Sequence, residues 1–572
     1  MTDVITQHLD VWTSALINKS TAGRGTSDKQ TAYGIKKLRE LILELAVRGK
    51  LVPQDPDDEP ANILLDKIDE EKSNLLKSGE IKKQFSPADI EDTEIPFFLP
   101  KGWEWSRIGN IGRDWGQKTP TSDFTYIDVS SINNNLGLIT TPEIVNASNA
   151  PSRARKIVTI GTVIYSTVRP YLKNICVIEN EYLPEPIAST AFAILHPLQN
   201  MPGRFFSMYF RSPSFVAYVE SVQNGIAYPA INDKQFFNGL VPIPPLNEQH
   251  RIAAKVDELM ALCDQLEQQQ TDSIAAHQTL VQTLLGTLTQ AADAAEFEQA
   301  WSRIADHFDT LFTTEHSIEK LKKILLQLAV TGLLTNQKMS DVKSGIGREN
   351  KAIDLPIEGS NTKVTKPNFD KNIHLDEIPF KLPENWTWTR LGKIVDFIGG
   401  SQPPKSKFND SPMRGYTRLI QIRDFKSDDY PTYVPDEFAN RPFSEDDIMV
   451  GRYGPPVFQI LRGKSGTYNV ALMKAKPIGD SITKNFLYYL LSEPRIQELV
   501  ISESERTAGQ SGVRKELLHT FVVGLPPIEE QHRIAAKVDE LLAICDTLKA
   551  RIAAAQTTQL QLADAIVEEA IA

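Results

Sequence analysis

Residues 248–259 read EQHRIAAKVDEL, and the same twelve residues return unchanged at 530–541. A match of that length marks a duplication, so internal repetition governs every later step of the reading. The likeness runs outward from this core. Pro244-Pro245-Leu246 precedes the first copy and Pro526-Pro527-Ile528 the second, while Cys263-Asp264 and Cys545-Asp546 follow at the same offset of 282. Two further pairs keep an offset of 283: residues 37–49 (KLRELILELAVRG) with 320–332 (KLKKILLQLAVTG), and an opening motif of Ile95-Pro96-Phe97, Leu99-Pro100 and Trp103-Glu104-Trp105 with Ile378-Pro379-Phe380, Leu382-Pro383 and Trp386-Thr387-Trp388. Each half thus runs in one order: short helix, polar linker, opening motif, a body of about 140 residues, a Pro-Pro turn and a long helix. The bodies are where the halves part, since residues 123–135 (DFTYIDVSSINNN) have no sequence partner near 415–425 (GYTRLIQIRDF). One scaffold presenting two different reading heads has this layout.

The 572 residues and 41% hydrophobic content allow three or four domains with real cores. The chain reads as soluble and globular. There is no run of 18 apolar residues, and the start MTDVITQHLDVW lacks the basic and apolar regions of a signal peptide, so a cytoplasmic location is expected. Cys176, Cys263 and Cys545 form no CxxC pair and read as small buried hydrophobes in a reducing compartment. The net charge of −11 is unevenly spread: residues 96–247 carry +2, residues 379–527 carry +3, and the remainder carries −16. The bodies are mildly basic islands and the acid belongs to helices and linkers. A DNA-binding role would therefore lean on a partner for some phosphate contacts.

Periodicity fills in the elements. A short helix is expected over residues 4–17, followed by the Gly/Ser/Thr stretch STAGRGTSDKQ. Leu38, Leu41, Ile42 and Leu45 fall at helical spacing with Gly49 at the helix end, and Ile63, Leu64, Ile68 and Leu75 mark a second amphipathic helix over 61–77. Within the first body, strand-like runs at 126–129 and 162–167 and helical pieces over 205–222 give a mixed α+β domain. Beyond the Pro-Pro turn, Ile252, Val256, Leu259, Cys263 and Leu266 are spaced 4, 3, 4, 3, and Ile534, Val538, Leu541, Cys545, Leu548 and Ile552 continue the pattern. That is a short coiled-coil seam; the alternative is two helices that each pack against their own body. As one helix, residues 529–570 span roughly 60 Å. The fold class read from these signals is α+β, two mixed α/β domains in tandem repeat, separated by long helices that form an antiparallel coiled coil about a pseudo-two-fold. The divisions are 1–94 (N-terminal helical region and linker), 95–245 (first body), 246–335 (central helices), 336–377 (polar linker), 378–527 (second body) and 528–572 (C-terminal helix).

Signatures of catalysis are missing. There is no G-x-x-x-x-G-K-[ST] loop, Gly399-Gly400-Ser401 lacks the rest of a nucleotide fingerprint, Gly454-Pro455-Pro456-Val457 is not the Asn/Asp-Pro-Pro-aromatic motif of amino-methyltransferases, and no His/Cys cluster has metal-ligand spacing. His250 and His532 repeat, but each stands beside an Arg on the first turn of a scaffold helix and is given a structural role.

The Pro-Pro-x-x-Glu-Gln-x-Arg-Ile motif (Pro244 to Ile252, Pro526 to Ile534), the Leu-Ala-Val-x-Gly-x-Leu helix with its QDPDDEPA continuation, and the Leu-Pro-x-x-Trp-x-Trp opening resemble the specificity subunit of type I restriction-modification systems, HsdS. The likeness covers nearly the whole chain. It implies two target-recognition domains, each reading one half of a split double-stranded DNA site, with a helical pair as spacer ruler. It also implies partners: two HsdM methyltransferase subunits that bind S-adenosylmethionine and methylate adenine N6, and HsdR subunits that use ATP, with Mg, to translocate and cut DNA. The chain itself is then non-catalytic and holds no cofactor. The long helices and the short helices at Lys36 and Lys320 would offer partners an acidic surface.

Base readout favours Arg on guanine and Asn or Gln on adenine, with Ser, Thr and Lys on phosphates. The candidates are Lys118, Ser130, Asn133, Arg153, Arg155, Lys156, Thr167, Arg169, Ser189 and Tyr228 in the first body. In the second they are Gln402, Lys405, Lys407, Arg418, Gln421, Arg423, Arg452, Tyr453, Asn469 and Gln510. The same residue types also serve as solvated charges or intradomain hydrogen bonds. Trp103, Trp105, Trp386 and Trp388 read as core anchors rather than stacking platforms. Two rivals remain: an assembly scaffold whose bodies bind proteins and not DNA, and an enzyme in its own right.

Overall fold

The computed structural model describes residues 2–18, 30–81, 87–134, 136–225, 227–291, 294–336, 338, 373–454, 456–505 and 512–572. Nearly all of the polar linker at 336–372 and the candidate Gln510 therefore lie outside the described residues, as does most of STAGRGTSDKQ. Contacts divide the chain into two units. One comprises Met1–Lys19, Lys29–Ser273 and Gln556–Ala572, the other Ser20–Asp28 and Ile274–Ala555. The division falls inside the long helices, each of which starts in one unit and ends in the other.

The first unit opens on two short helices, Thr2–Gln7 and Leu9–Ser14, where a single helix over 4–17 was expected. The chain turns at His8, whose φ and ψ are −116° and 27°, and Leu16–Asn18 then pairs as a strand with Gln30–Ala32. Helices α1 (Tyr33–Val47) and α2 (Ala61–Ser78) follow. Leu38, Leu41, Ile42 and Leu45 of α1 are buried, as their spacing requires, and Gly49 just past its end has φ 66°. The first head is built from β1 (Glu104–Arg107), β2 (Gly112–Arg113), β3 (Phe124–Ile127), β4 (Glu143–Val145), β5 (Ala154–Ile157), β6 (Val163–Ser166), β7 (Ile175–Val177), β8 (Pro186–Ser189), β9 (Phe192–Pro197) and β10 (Leu240–Ile243). Helices α3 (Gly203–Arg211) and α4 (Pro213–Val222) and a short third helix, Asp233–Asn238, lie between β9 and β10. The strands form sheets in the orders β7-β6-β9-β2 and β4-β3-β8-β5, with β10 paired to β1.

Strand β6 shows why the sequence takes this form. Its residues Val163, Ile164 and Tyr165 are all buried, and alternation sends successive side chains to opposite faces. Val163 and Tyr165 join the core shared with α1, α3 and α4, whereas Ile164 joins Ile127, Cys176, Ala188, Phe192 and Ile194. A strand buried on both sides reads as continuous apolar sequence.

From β10 the chain enters α5 (Leu246–Gln290). Ile252, Val256, Leu259 and Cys263 sink into the core that also holds α1, together with Ala563 and Ile566 from the end of the last helix. The second unit continues with α6 (Ala294–Asp306) and α7 (Glu315–Thr331), the latter ending on Gly332 at φ 78°. Its head consists of β11 (Thr387–Arg390), β12 (Val395–Gly399), β13 (Tyr416–Ile420), β14 (Tyr433–Pro435), β15 (Pro442–Phe443), β16 (Ile448–Gly451), β17 (Ile460–Leu461), β18 (Gly466–Tyr468), β19 (Leu472–Pro477), helices α8 (Lys484–Ser492) and α9 (Pro494–Glu505), and β20 (Val522–Leu525). The sheet orders are β12-β19-β16-β17 and β14-β13-β18-β15, with β11 on β20. Among the described residues this is the first head again, apart from a hairpin of Ile132–Asn133 with Leu138–Ile139 that only the first head carries, and each head includes one parallel pair, β3 with β8 and β13 with β18. Ile448 and Val450 face one core and Met449 the other, as on β6. The last helix, α10 (Ile528–Ile571), carries Ile534 and Val538 into the second head's core and Cys545 into a cluster with α6 and α7.

The fold supplies the partner that sequence comparison of the bodies did not. Within residues 123–135 and 415–425, Phe124 to Ser131 and Tyr416 to Phe425 correspond, since β3 and β13 both lead into a 3-10 turn, Val129–Ser131 and Ile422–Phe425. All three cysteines are unpaired and buried; burial pushes the Cys176 thiol up to about 12 and that of Cys263 to about 11.

Candidate nucleic-acid interface

In each head one rim collects the loops after β6 or β16 and β8 or β18, together with the segment before β10 or β20. Thr167 N donates to Ala191 O at 2.9 Å and Ile231 N to Thr167 O at 2.9 Å. In the second head Arg452 N donates to Ala471 O at 2.8 Å and Val513 N to Arg452 O at 3.0 Å. The β6–β7 and β16–β17 loops share a backbone path as well. Positive φ occurs at Arg169 (49°) and Lys173 (53°), and at Gly454 (91°) and Phe458 (60°), in both heads six residues and two residues before the next strand begins. Only specific local support holds non-glycine residues there.

The rims carry different side chains on that shared path. In the first head the Arg169 guanidinium lies 5.0 Å from the ring centroid of Tyr228, which is 69% exposed. Val168, Tyr171 and Leu172 are exposed beside it, and the Asn134 amide donates to Leu172 O at 2.9 Å, which ties the hairpin carrying Asn133 to the loop. Thr190 N donates to Arg153 O at 2.8 Å and brings exposed Arg153 alongside. In the second head Arg452 stands 5.2 Å from the Tyr453 ring, with Tyr453 and Val470 exposed. Each rim thus presents an arginine over a tyrosine face, a charge held beside an aromatic surface.

A cleft of about 490 Å³ opens in the second head among Gln402, Lys405, Gln421 and Asn469, with Pro404 and Phe408 on its walls. It gathers four residues that were picked out separately from the sequence. Lys407 is exposed on the same 3-10 turn as Lys405, its ammonium 5.9 Å from the Phe438 ring, and Arg423 is exposed nearby. Ser130 is exposed on the turn after β3. Lys118 lies next to Arg155 through Lys118 N to Arg155 O at 2.9 Å, and its ammonium pairs with Glu185.

Four candidates have intradomain work instead. Lys156 is 3% exposed, with its ammonium 2.8 Å from Asp114 and 3.1 Å from Asp233. Burial opposes its charge, but the two carboxylates outweigh that and raise its pKa. Such a clamped ammonium is a structural ion triad and not an accessible DNA contact. Ser189 is fully buried and its Oγ accepts from Ala191 N at 3.3 Å; Thr167 is buried and its Oγ1 donates to Ala191 O at 2.9 Å. Arg418 pairs with Asp428, which also takes Lys464 at 2.7 Å. The sequence reading missed Val168, Tyr171 and Leu172. Three large side chains flanking an Arg-Pro step in a loop were the available signal.

The repeated motifs form the joint between each head and its helix. Trp103 Nε1 donates to Glu248 Oε2 at 3.0 Å, and Trp386 Nε1 to Glu530 Oε2 at 3.0 Å; both indoles and both carboxylates are buried. Gln249 and Gln531 donate back to Pro244 O and Pro526 O, each at 3.0 Å, closing the first helical turn. His250 and His532 are exposed, and the adjacent glutamines make the bonds of the first turn. Trp105 and Trp388 pack half-buried against Phe97 and Phe380 at 5.0 and 5.1 Å. Some of the helical acid is spent within each unit: Arg39 binds Asp264 and Glu267 at 2.7 and 2.8 Å, and its repeat equivalent Lys322 binds Asp546. No helix among the described residues is long and apolar enough to cross a membrane.

Two heads of one topology with differing rims define a class, tandem readers on a repeated scaffold. The model of the type I restriction modification DNA specificity domain matches residues 100–276 and again 383–556. The specificity subunits of the Escherichia coli type I restriction enzymes EcoAI and EcoEI are 36% and 34% identical to this chain, each over 99% of both partners. The crystal structure of the HsdS subunit from Thermoanaerobacter tengcongensis matches 84% of this chain and 99% of its own, at 25% identity and a TM-score of 0.47. The chain belongs to the specificity subunits of type I restriction-modification systems, with two DNA-specificity domains in tandem.

Proposed function

We propose that each head reads one half of an asymmetric, bipartite site in double-stranded DNA, and that the chain performs no chemistry itself. Methylation of adenine N6 would fall to two HsdM subunits using S-adenosylmethionine, and ATP- and Mg-dependent translocation and cleavage to HsdR subunits, all in the cytoplasm. The helices would dock these partners and set the spacer between half-sites. The target adenine would have to leave the stack to reach a partner's pocket.

The observation that carries this reading is one backbone path bearing two chemistries. Arg169 and Tyr228 share the first rim, while Gln402, Gln421 and Arg452 stand at the second. Identical scaffolds with unlike recognition surfaces suit a target whose halves differ. The test is adenine-methylation mapping in cells that carry the chain with its cognate methyltransferase, against cells lacking only this chain. A split asymmetric motif that disappears on deletion is expected. Unchanged methylation would sink the proposal in favour of an assembly scaffold, and so would DNA binding by the complex that ignores salt, since phosphate contacts release counterions.

A further inference from the structure

We infer that the second head reads an A·T base pair through the amides of Gln402 and Gln421, an inference that rests on the reading of the heads as DNA readers. Both amides line the cleft of about 490 Å³, and among the described residues no carboxylate lines it. An amide offers one donor and one acceptor side by side, which matches adenine N7 and N6–H₂ in the major groove. Guanine offers two acceptors and suits Arg or Lys, while cytosine N4 suits a carboxylate. Apolar walls at Pro404 and Phe408 are compatible with the thymine methyl group.

The two glutamines are held by backbone, Gln421 as the N-cap of the 3-10 turn in a capping box with Asp424, and their amide nitrogens make only long contacts. Gln421 N donates to Asp424 Oδ2 at 2.6 Å, and Asp424 is 1% exposed, so the residue at the end of β13 is pinned from below. Gln402 follows Gly400 and Ser401, whose amides donate to Leu472 O at 3.0 Å and Tyr468 O at 3.2 Å. A Cβ at Gly400 would collide with Asn469 O, so only glycine lets these strands approach so closely. At their tips, Gln402 Nε2 reaches Pro403 O and Gln421 Nε2 reaches Thr432 Oγ1, each at 3.4 Å. Contacts that long are weak and yield readily to a base edge.

The other polar groups of the cleft have different parts. Asn469 Oδ1 accepts from Ala471 N at 3.1 Å, which fixes the loop and removes the bidentate option. Exposed Lys405 is a point charge suited to phosphate. At the place equivalent to Gln421 the first head has Asp128, so the same pair of amides is absent there.

The experiment uses the full chain assembled with its methyltransferase subunits. First the bipartite motif of the natural complex is mapped. Each adenine of the second half-site is then replaced in turn by 7-deazaadenine, which lacks only the N7 acceptor, and binding is measured. One position is expected to lose about tenfold in affinity. Gln421→Ala and Gln402→Ala should make methylation degenerate at that position while leaving the first half-site unchanged. Lys405→Ala should weaken all sequences alike and lower the salt slope by about one. A second half-site without an A·T pair, or one indifferent to every 7-deazaadenine substitution, would overturn the inference while leaving the DNA-reading role intact. The deaza series needs no variant, so it decides even if a glutamine variant fails to assemble. A natural complex that marks no bipartite motif would overturn both.

Discussion

Glu248 and Asp58 are neighbours in the first unit with opposite responses to pH. Glu248 is 1% exposed and accepts from Trp103 at 3.0 Å and Gln54 at 2.6 Å; desolvation raises its pKa despite these bonds. Asp58 accepts from Arg251 at 2.6 Å, and that bond is the main reason its pKa lies below the ordinary carboxylate value. A depressed carboxylate stabilises the fold above its unfolded pKa of about 3.9, and that contribution is lost as pH falls through the folded value. Asp58→Asn should therefore cost about 1–3 kcal/mol at pH 7 and nothing once the pH is below the folded value, read from melting curves of the two proteins across pH. Glu248 runs the other way, its ionised form being penalised as pH rises above about 4.3. Glu248→Ala strands a buried indole N–H, with an expected loss of about 1–3 kcal/mol at neutral pH, whereas Glu248→Gln keeps an acceptor for Trp103 and should retain most of the stability. Equal melting points for these two variants would show that the indole bond contributes nothing.

At the scale of elements, the helices were legible and the heads only partly so. Spacings of 4 and 3 along α5 and α10 come from local periodicity, which survives in the sequence whatever the helix packs against. The burial of Ile252, Val256 and Cys263 beside α1 was not readable, because a 4-3 pattern also specifies a coiled-coil seam. Lys156 shows a readable signal misread. Arg153, Arg155 and Lys156 look like one basic cluster, yet β5 alternates, so Ala154 and Lys156 face inward and Arg155 outward. The cleft could not be seen in advance, since Gln402, Gln421 and Asn469 are joined only by strand order. The repeat does make one element testable. Gly332 ends α7 at φ 78°, and a Cβ there would stand 2.5 Å from Pro383 Cγ. Gly332→Ala combines an unfavourable left-handed conformation with that clash and should cost about 1–3 kcal/mol, seen as a lower melting temperature of the purified protein.

For the whole molecule, the decisive fact is that α5 runs unbroken for 45 residues, roughly 65–70 Å, from one unit into the next. If the scaffold helices set the spacer, inserting one heptad into α5 should change the preferred spacer length and leave both half-site sequences intact, as methylation mapping of the variant would report. Altered half-sites with an unchanged spacer would refute the ruler. The division of the units has a consequence for how the protein is made. The first core is closed in part by Ala563 and Ile566, which leave the ribosome only after the entire second head. At about 5–20 residues per second, the chain between Ser273 and Gln556 takes roughly a quarter of a minute to a minute to synthesise. Throughout that interval the first unit exists without its last helix, its apolar surface waiting for a segment not yet translated.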